Sequence, residues 1–87
     1  NIHPVLLPKY GGKGMYGAHV HKAIIENKES ISGITIHYVT SNYDEGPIIF
    51  QKEVSIDPSD TAKDLAKKIH NLEMNYFPKV VEKILIT

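Results

Sequence analysis

The chain has 87 residues, enough for one small domain around one core. With 41% hydrophobic and 23% charged residues it reads as a folded chain rather than a disordered one. Ten lysines balance ten acidic residues, and arginine and cysteine are absent, which excludes a disulfide framework, a thiolate metal site and the basic face of a typical nucleic-acid binder.

The first element is Asn1-Ile2-His3-Pro4. On an extended segment Asn1 and His3 point the same way. A neutral amide donor beside an imidazole can steady an oxyanion and move a proton at one carbon. A capping Asn next to a surface His accounts for the same pair. Pro4 removes a backbone donor and fixes the turn out of the strand, and Leu6-Leu7-Pro8 anchors the next loop. Four glycines between Gly11 and Gly17 then make a loop whose amides and lysines could meet an anion or simply connect. It lacks the Gly-Lys-Ser/Thr ending of a phosphate-binding P-loop.

Tyr16 to about Asn27 reads as a helix, with Tyr16, Val20, Ala23, Ile24 and Asn27 on one side. His19 and His21 are two apart, so on a helix they do not face each other and do not form a metal site. Ser32-Gly33 breaks the chain. Ile34 to Thr40 reads as a half-buried strand, with Ile34, Ile36 and Tyr38 on one face and Thr35, His37 and Val39 on the other. His37 is either a structural histidine or a site residue. The polar run Ser41 to Pro47 is a turn that Asp44 can cap. A second strand, antiparallel to the first, runs from Pro47 to about Ile56 with Ile48, Phe50, Val54 and Ile56 on one face.

Asp57-Pro58-Ser59-Asp60 punctuates again, with Asp60 or Ser59 as N-cap and Asp64 in the first turn of a helix from Thr61 to about Ile86. Pro78 should kink or divide it. At about 100° per residue, Ala62, Leu65, Ala66, Ile69, Tyr76 and Val80 form an apolar stripe with Glu73 in its middle. A carboxylate facing inward is costly unless paired. Glu73 therefore either reaches water near Pro78 or faces a ligand.

Taken together, Asn1-Ile2-His3-Pro4, Leu6-Leu7-Pro8, His37-Tyr38-Val39 and Asp44-Glu45-Gly46-Pro47 resemble the folate-dependent formyltransferases, in order and spacing, over essentially the whole chain. The resemblance implies an α/β fold in the order strand end, helix, two antiparallel strands and long C-terminal helix. It implies that residues 1–87 are the C-terminal catalytic and folate-binding half of such a domain, without its nucleotide-binding N-terminal half. The glycine-loop wording is similar to the branch that transfers a formyl group from 10-formyltetrahydrofolate to the amine of glycinamide ribonucleotide.

By the same resemblance Asn1, His3 and Asp44 are catalytic. His37, Thr40, Ser41, Asn42, Tyr43 and Asp44 line the folate site, and Ile2, Pro4 and Glu73 contact the amine substrate. No metal is required. The expected partners are glycinamide ribonucleotide and folate, with self-association or pairing with the absent half, and neither nucleic acid nor membrane. No run approaches the ~18 apolar residues of a membrane span, and the opening residues do not read as a signal peptide, so the expected location is cytoplasmic. A chain cut at Asn1 is expected to be inactive alone. Alternatives are formyltetrahydrofolate deformylase, whose pattern has His where this chain has Pro4, methionyl-tRNA formyltransferase, and a noncatalytic binding module.

Overall fold

A computed structural model describes residues 2–7, 9–11, 18–39 and 45–86. Its elements in chain order are β1 (Ile2–His3), α1 (Ala18–Glu26), β2 (Ile31–Val39), β3 (Glu45–Ser55) and α2 (Ala62–Ile86). The three strands form one antiparallel sheet in the order β1-β2-β3. This is the predicted order of elements, with two larger corrections and some smaller ones, among them that β3 takes in Glu45 and Gly46, expected in the turn.

The first correction concerns β2. Ser32-Gly33 does not break the chain but lies inside the strand, which begins at Ile31. A Cβ at Gly33 would collide with the Lys52 carbonyl of β3 and come within 2.7 Å of Leu6 Cδ2, so the glycine admits a close approach rather than a turn. Nor is β2 half-buried. As the central strand it buries Ile34 and Ile36 on one face and Thr35 and His37 on the other. Tyr38 departs from its face-mates and is 52% exposed. The ladder is irregular there. Ile36 pairs with Phe50 but His37 pairs with Ile48, which leaves Ile49 as an extra residue on β3, and a second shift precedes the Val39–Glu45 pair.

The second correction concerns the start of α2. Thr61, not Asp60 or Ser59, is the N-cap. Its Oγ1 accepts the Asp64 N–H at 3.1 Å, and Asp64 Oδ2 accepts the Thr61 N–H at 3.0 Å, which is a reciprocal capping box. Those bonds hold the Asp64 carboxyl below its ordinary range. Asp60 is instead paired with Lys68 at 2.5 Å and accepts the Asp57 N–H. Further along, α2 continues through Pro78 without dividing.

The core forms where α2 crosses the Ile34 face of the sheet and α1 packs on α2. Leu65 and Ile69 of α2, Val20 and Ile24 of α1, Ile34 of β2, and Val5 and Leu7 after β1 make one buried cluster. Each such side chain contributes roughly 1.5–3 kcal/mol by leaving water. Leu72 and Tyr76 extend the row along α2, and Tyr76 stacks on Phe50 at 5.5 Å. Leu65 and Ile69 are buried, and Leu72 and Tyr76 partly so. Glu73, next to Leu72, is half-buried as well, with 31% of its side chain exposed.

His21 is buried on α1, and its Nδ1 has no hydrogen-bond partner among the described residues. Burial holds this imidazole below its usual value of 6.5, so the folded state keeps it neutral. The unfolded chain takes up a proton as pH falls through 6.5, and the folded chain does so only at lower pH. Stability is therefore retained above 6.5 and falls progressively below it. Thermal melts should drop between pH 7 and pH 5, and His21→Leu should flatten that slope. Parallel pH profiles for the two proteins would reject the assignment.

Candidate functional site

The register of β1 sets His3 opposite Thr35. Thr35 pairs on its other side with Gln51. His3, Thr35 and Gln51 therefore form a row across one face of the sheet, and His37, two residues along β2, shares that face. The diagonal neighbours His3 and His37 stack with ring centroids 4.7 Å apart and planes 23° from parallel. His37 is 2% exposed. Its Nδ1 lies 2.6 Å from the Tyr38 carbonyl, which can only accept, so Nδ1 carries the hydrogen and donates it. That bond fixes the ring against which His3 lies.

Beside the stacked rings is a polar clamp. Thr35 is fully buried, and its hydroxyl donates to the Val5 carbonyl at 2.7 Å while accepting the Leu7 N–H at 2.9 Å. Gln51 Nε2 donates to the Leu7 carbonyl and to Thr35 Oγ1, both at 3.0 Å. Further on, the Tyr10 hydroxyl donates to Glu29 Oε2 and accepts from Asn27 Nδ2, each at 2.8 Å, tying the chain after β1 to the turn beyond α1.

Of the residues singled out in the sequence, the fold brings His3 and His37 into contact. Ile2 sits opposite Ile36, and the half-buried Pro4 follows His3 directly. Glu73 Oε1 lies 3.9 Å from His70 Nδ1, one turn back on α2. Asn1, Thr40, Ser41, Asn42, Tyr43 and Asp44 lie outside the described residues. Among the described residues no three His, Cys, Asp or Glu side chains come together as a metal site. None of the described helices is long and apolar enough to cross a membrane. Sequence reasoning missed Thr35 and Gln51. A period-two reading put Thr35 on the His37 face, but nothing marked its hydroxyl as the junction of a network.

A family model described as formyl transferase matches residues 1–81. The chain belongs to the formyl transferase family. It is 48% identical over 84 residues to the chloroplastic phosphoribosylglycinamide formyltransferase of Vigna unguiculata, covering 97% of this chain and 27% of that protein. It is 39% identical to the methionyl-tRNA formyltransferase of Thermotoga maritima, covering 97% of this chain and 25% of that one. Among solved structures, the phosphoribosylglycinamide formyltransferase of Bacillus halodurans superposes with a TM-score of 0.82 at 39% identity, over 98% of this chain and 41% of that chain. The three-stranded sheet and two helices thus match part of a formyltransferase α/β fold, and the chain spans well under half the length of these relatives.

Proposed function

We propose that this chain carries the reaction centre of an enzyme that moves a formyl group from 10-formyltetrahydrofolate to the amine of glycinamide ribonucleotide, a one-carbon step of purine synthesis. The observation that carries this reading is the His3–His37 stack at the end of Asn1-Ile2-His3-Pro4, in a chain of this family. The amine attacks the formyl carbon and a tetrahedral oxyanion forms; its collapse breaks the bond from that carbon to the folate nitrogen, and tetrahydrofolate leaves with the proton that the amine gives up. Asn1 donates a hydrogen bond to that oxyanion. His3 stabilises it or carries the proton, and Asp44 orients His3, directly or through water. His37 and the run Thr40, Ser41, Asn42, Tyr43 and Asp44 hold the folate, and Ile2, Pro4 and Glu73 hold the glycinamide substrate. Residues 1–87 act in this reading as the catalytic and folate-binding half of a longer domain, in the cytoplasm.

The higher identity to the Vigna unguiculata protein supports glycinamide ribonucleotide as acceptor over a tRNA, as does the absence of arginine, the usual residue for bidentate phosphate contacts. The test is an assay of the full-length protein with 10-formyltetrahydrofolate and each acceptor in turn. Formylated glycinamide ribonucleotide is the expected product. Formate release without an acceptor would indicate the deformylase instead, and formylmethionyl-tRNA the third enzyme.

Glu73 gives a separate prediction. Its half-buried position next to Leu72 leaves the carboxylate able to accept hydrogen bonds from the substrate's ribose hydroxyls. Each charge-assisted bond removed costs roughly 1.5–3 kcal/mol, about ten-fold or more in affinity. Glu73→Gln in the full-length protein should weaken glycinamide ribonucleotide binding by that factor and leave folate binding nearly intact. Equal titration curves for glycinamide ribonucleotide in mutant and wild type would remove Glu73 from the site.

A further inference from the structure

We infer that Thr35 and Gln51 are positioning residues for His3, clamping the chain that leaves β1 so that the His3 ring stays stacked on His37. The inference rests on the functional reading above for its catalytic consequence, but not for its structural one. Among the described residues β1 is joined to β2 at Ile2 opposite Ile36 and at His3 opposite Thr35. Pro4 comes next and has no N–H with which to extend the ladder. The chain therefore leaves the ladder directly after His3, and what holds it there sets where the His3 ring lies.

The Thr35 hydroxyl takes over where the ladder stops. It donates to Val5 O and accepts from Leu7 N, so one buried oxygen holds both ends of the turn just past His3. Gln51 uses the two hydrogens of one amide nitrogen, on Leu7 O and on the same Thr35 oxygen. The hydroxyl then has its one donor and both acceptor sites engaged. Removing it strands Val5 O and Leu7 N in a buried place and takes one partner from the Gln51 amide, and the turn must shift to recover partners. Because Pro4 couples that turn rigidly to His3, the imidazole shifts with it.

The test compares Thr35→Val, which keeps the shape and removes the hydroxyl, with Thr35→Ser, which keeps the hydroxyl. Gln51→Leu is the second variant, at a position exposed enough to tolerate an apolar side chain. Stacking shifts the proton resonances of the His3 ring. In Thr35→Val and Gln51→Leu those resonances should move toward the values of an unstacked imidazole, and in Thr35→Ser they should stay. In the full-length protein the first two should lower kcat on the order of 10–100-fold with KM for the formyl donor nearly unchanged, as expected when a reacting group is misplaced while the donor is still held. Thr35→Ser should restore kcat. Unmoved His3 resonances in folded Thr35→Val or Gln51→Leu would overturn the inference, as would failure of Thr35→Ser to restore them. A wild-type protein that transfers no formyl group would instead sink the functional reading, while the resonance test would still decide the clamp.

Discussion

His3→Ala in the full-length protein should lower formyl transfer by about two to four orders of magnitude, the usual contribution of a positioned acid or base. The ring it removes is half-buried and lies against His37 rather than in the main core, so folding should change little. The stack bears on the size of the effect. An imidazole held 4.7 Å from a second ring, itself fixed by the Tyr38 carbonyl, is oriented before substrate arrives. In the proposed mechanism alanine removes both the proton carrier and that orientation, and water entering the gap restores neither. If Asp44 acts as proposed, Asp44→Asn should produce a loss of the same order, because an amide cannot stabilise a His3 imidazolium as a carboxylate does. Steady-state rates for either variant within a few-fold of wild type, on proteins with unchanged melting curves, would reject these roles.

Gly33→Ala should be the most damaging small change to the fold. The new methyl meets the Lys52 carbonyl of β3 and Leu6 Cδ2 together. The first contact is with backbone and cannot be relieved by a rotamer change. Either the β2–β3 ladder opens there, or the turn after β1 lifts away and takes Leu7 out of the core. Overpacking of this kind costs about 3 kcal/mol or more. That is a large fraction of the roughly 5–15 kcal/mol that holds a small domain together. A fall in Tm of roughly 10 °C or more is expected for this chain length. Ser32→Ala next door is the control. The Ser32 hydroxyl is buried with no hydrogen-bond partner among the described residues, so its loss should be neutral or mildly stabilising. A Gly33→Ala melt within 3 °C or so of wild type would show that the strands yield more easily than their spacing implies.

Much of the fold was legible in the residues. Period-two apolar patterning and the polar run before Gly46-Pro47 marked β2 and β3, and helical spacing marked α1 and α2. Such patterns are local, so they can be read without knowing what lies across the sheet. The helix wheel put Glu73 within the apolar stripe and left out Leu72, and in the fold both are half-buried beside Ile69. A wheel shows which residues share a side, and only the angle at which α2 crosses the sheet decides how far each of two neighbours is buried. The N-cap went to Thr61 for a similar reason: Asp57, Ser59, Asp60 and Thr61 all bear capping oxygens, and the Thr61–Asp64 exchange took the helix start while Lys68 drew Asp60 away.

The candidate site divides along the same line. The sequence by itself determined that an amide, an imidazole and a proline stand together at Asn1, His3 and Pro4, and that His37 lies on a strand rich in β-branched residues. The tertiary structure decided that His3 meets His37, because the antiparallel register joins residues 34 positions apart in the chain. It also brought the Thr35 hydroxyl and the Gln51 amide onto the turn that follows His3. A threonine in a strand and a glutamine on its neighbour have no signature of their own. Their hydrogen bonds exist only because the turn at Val5 and Leu7 crosses the face they share, and burial there leaves those backbone groups no water to bond instead.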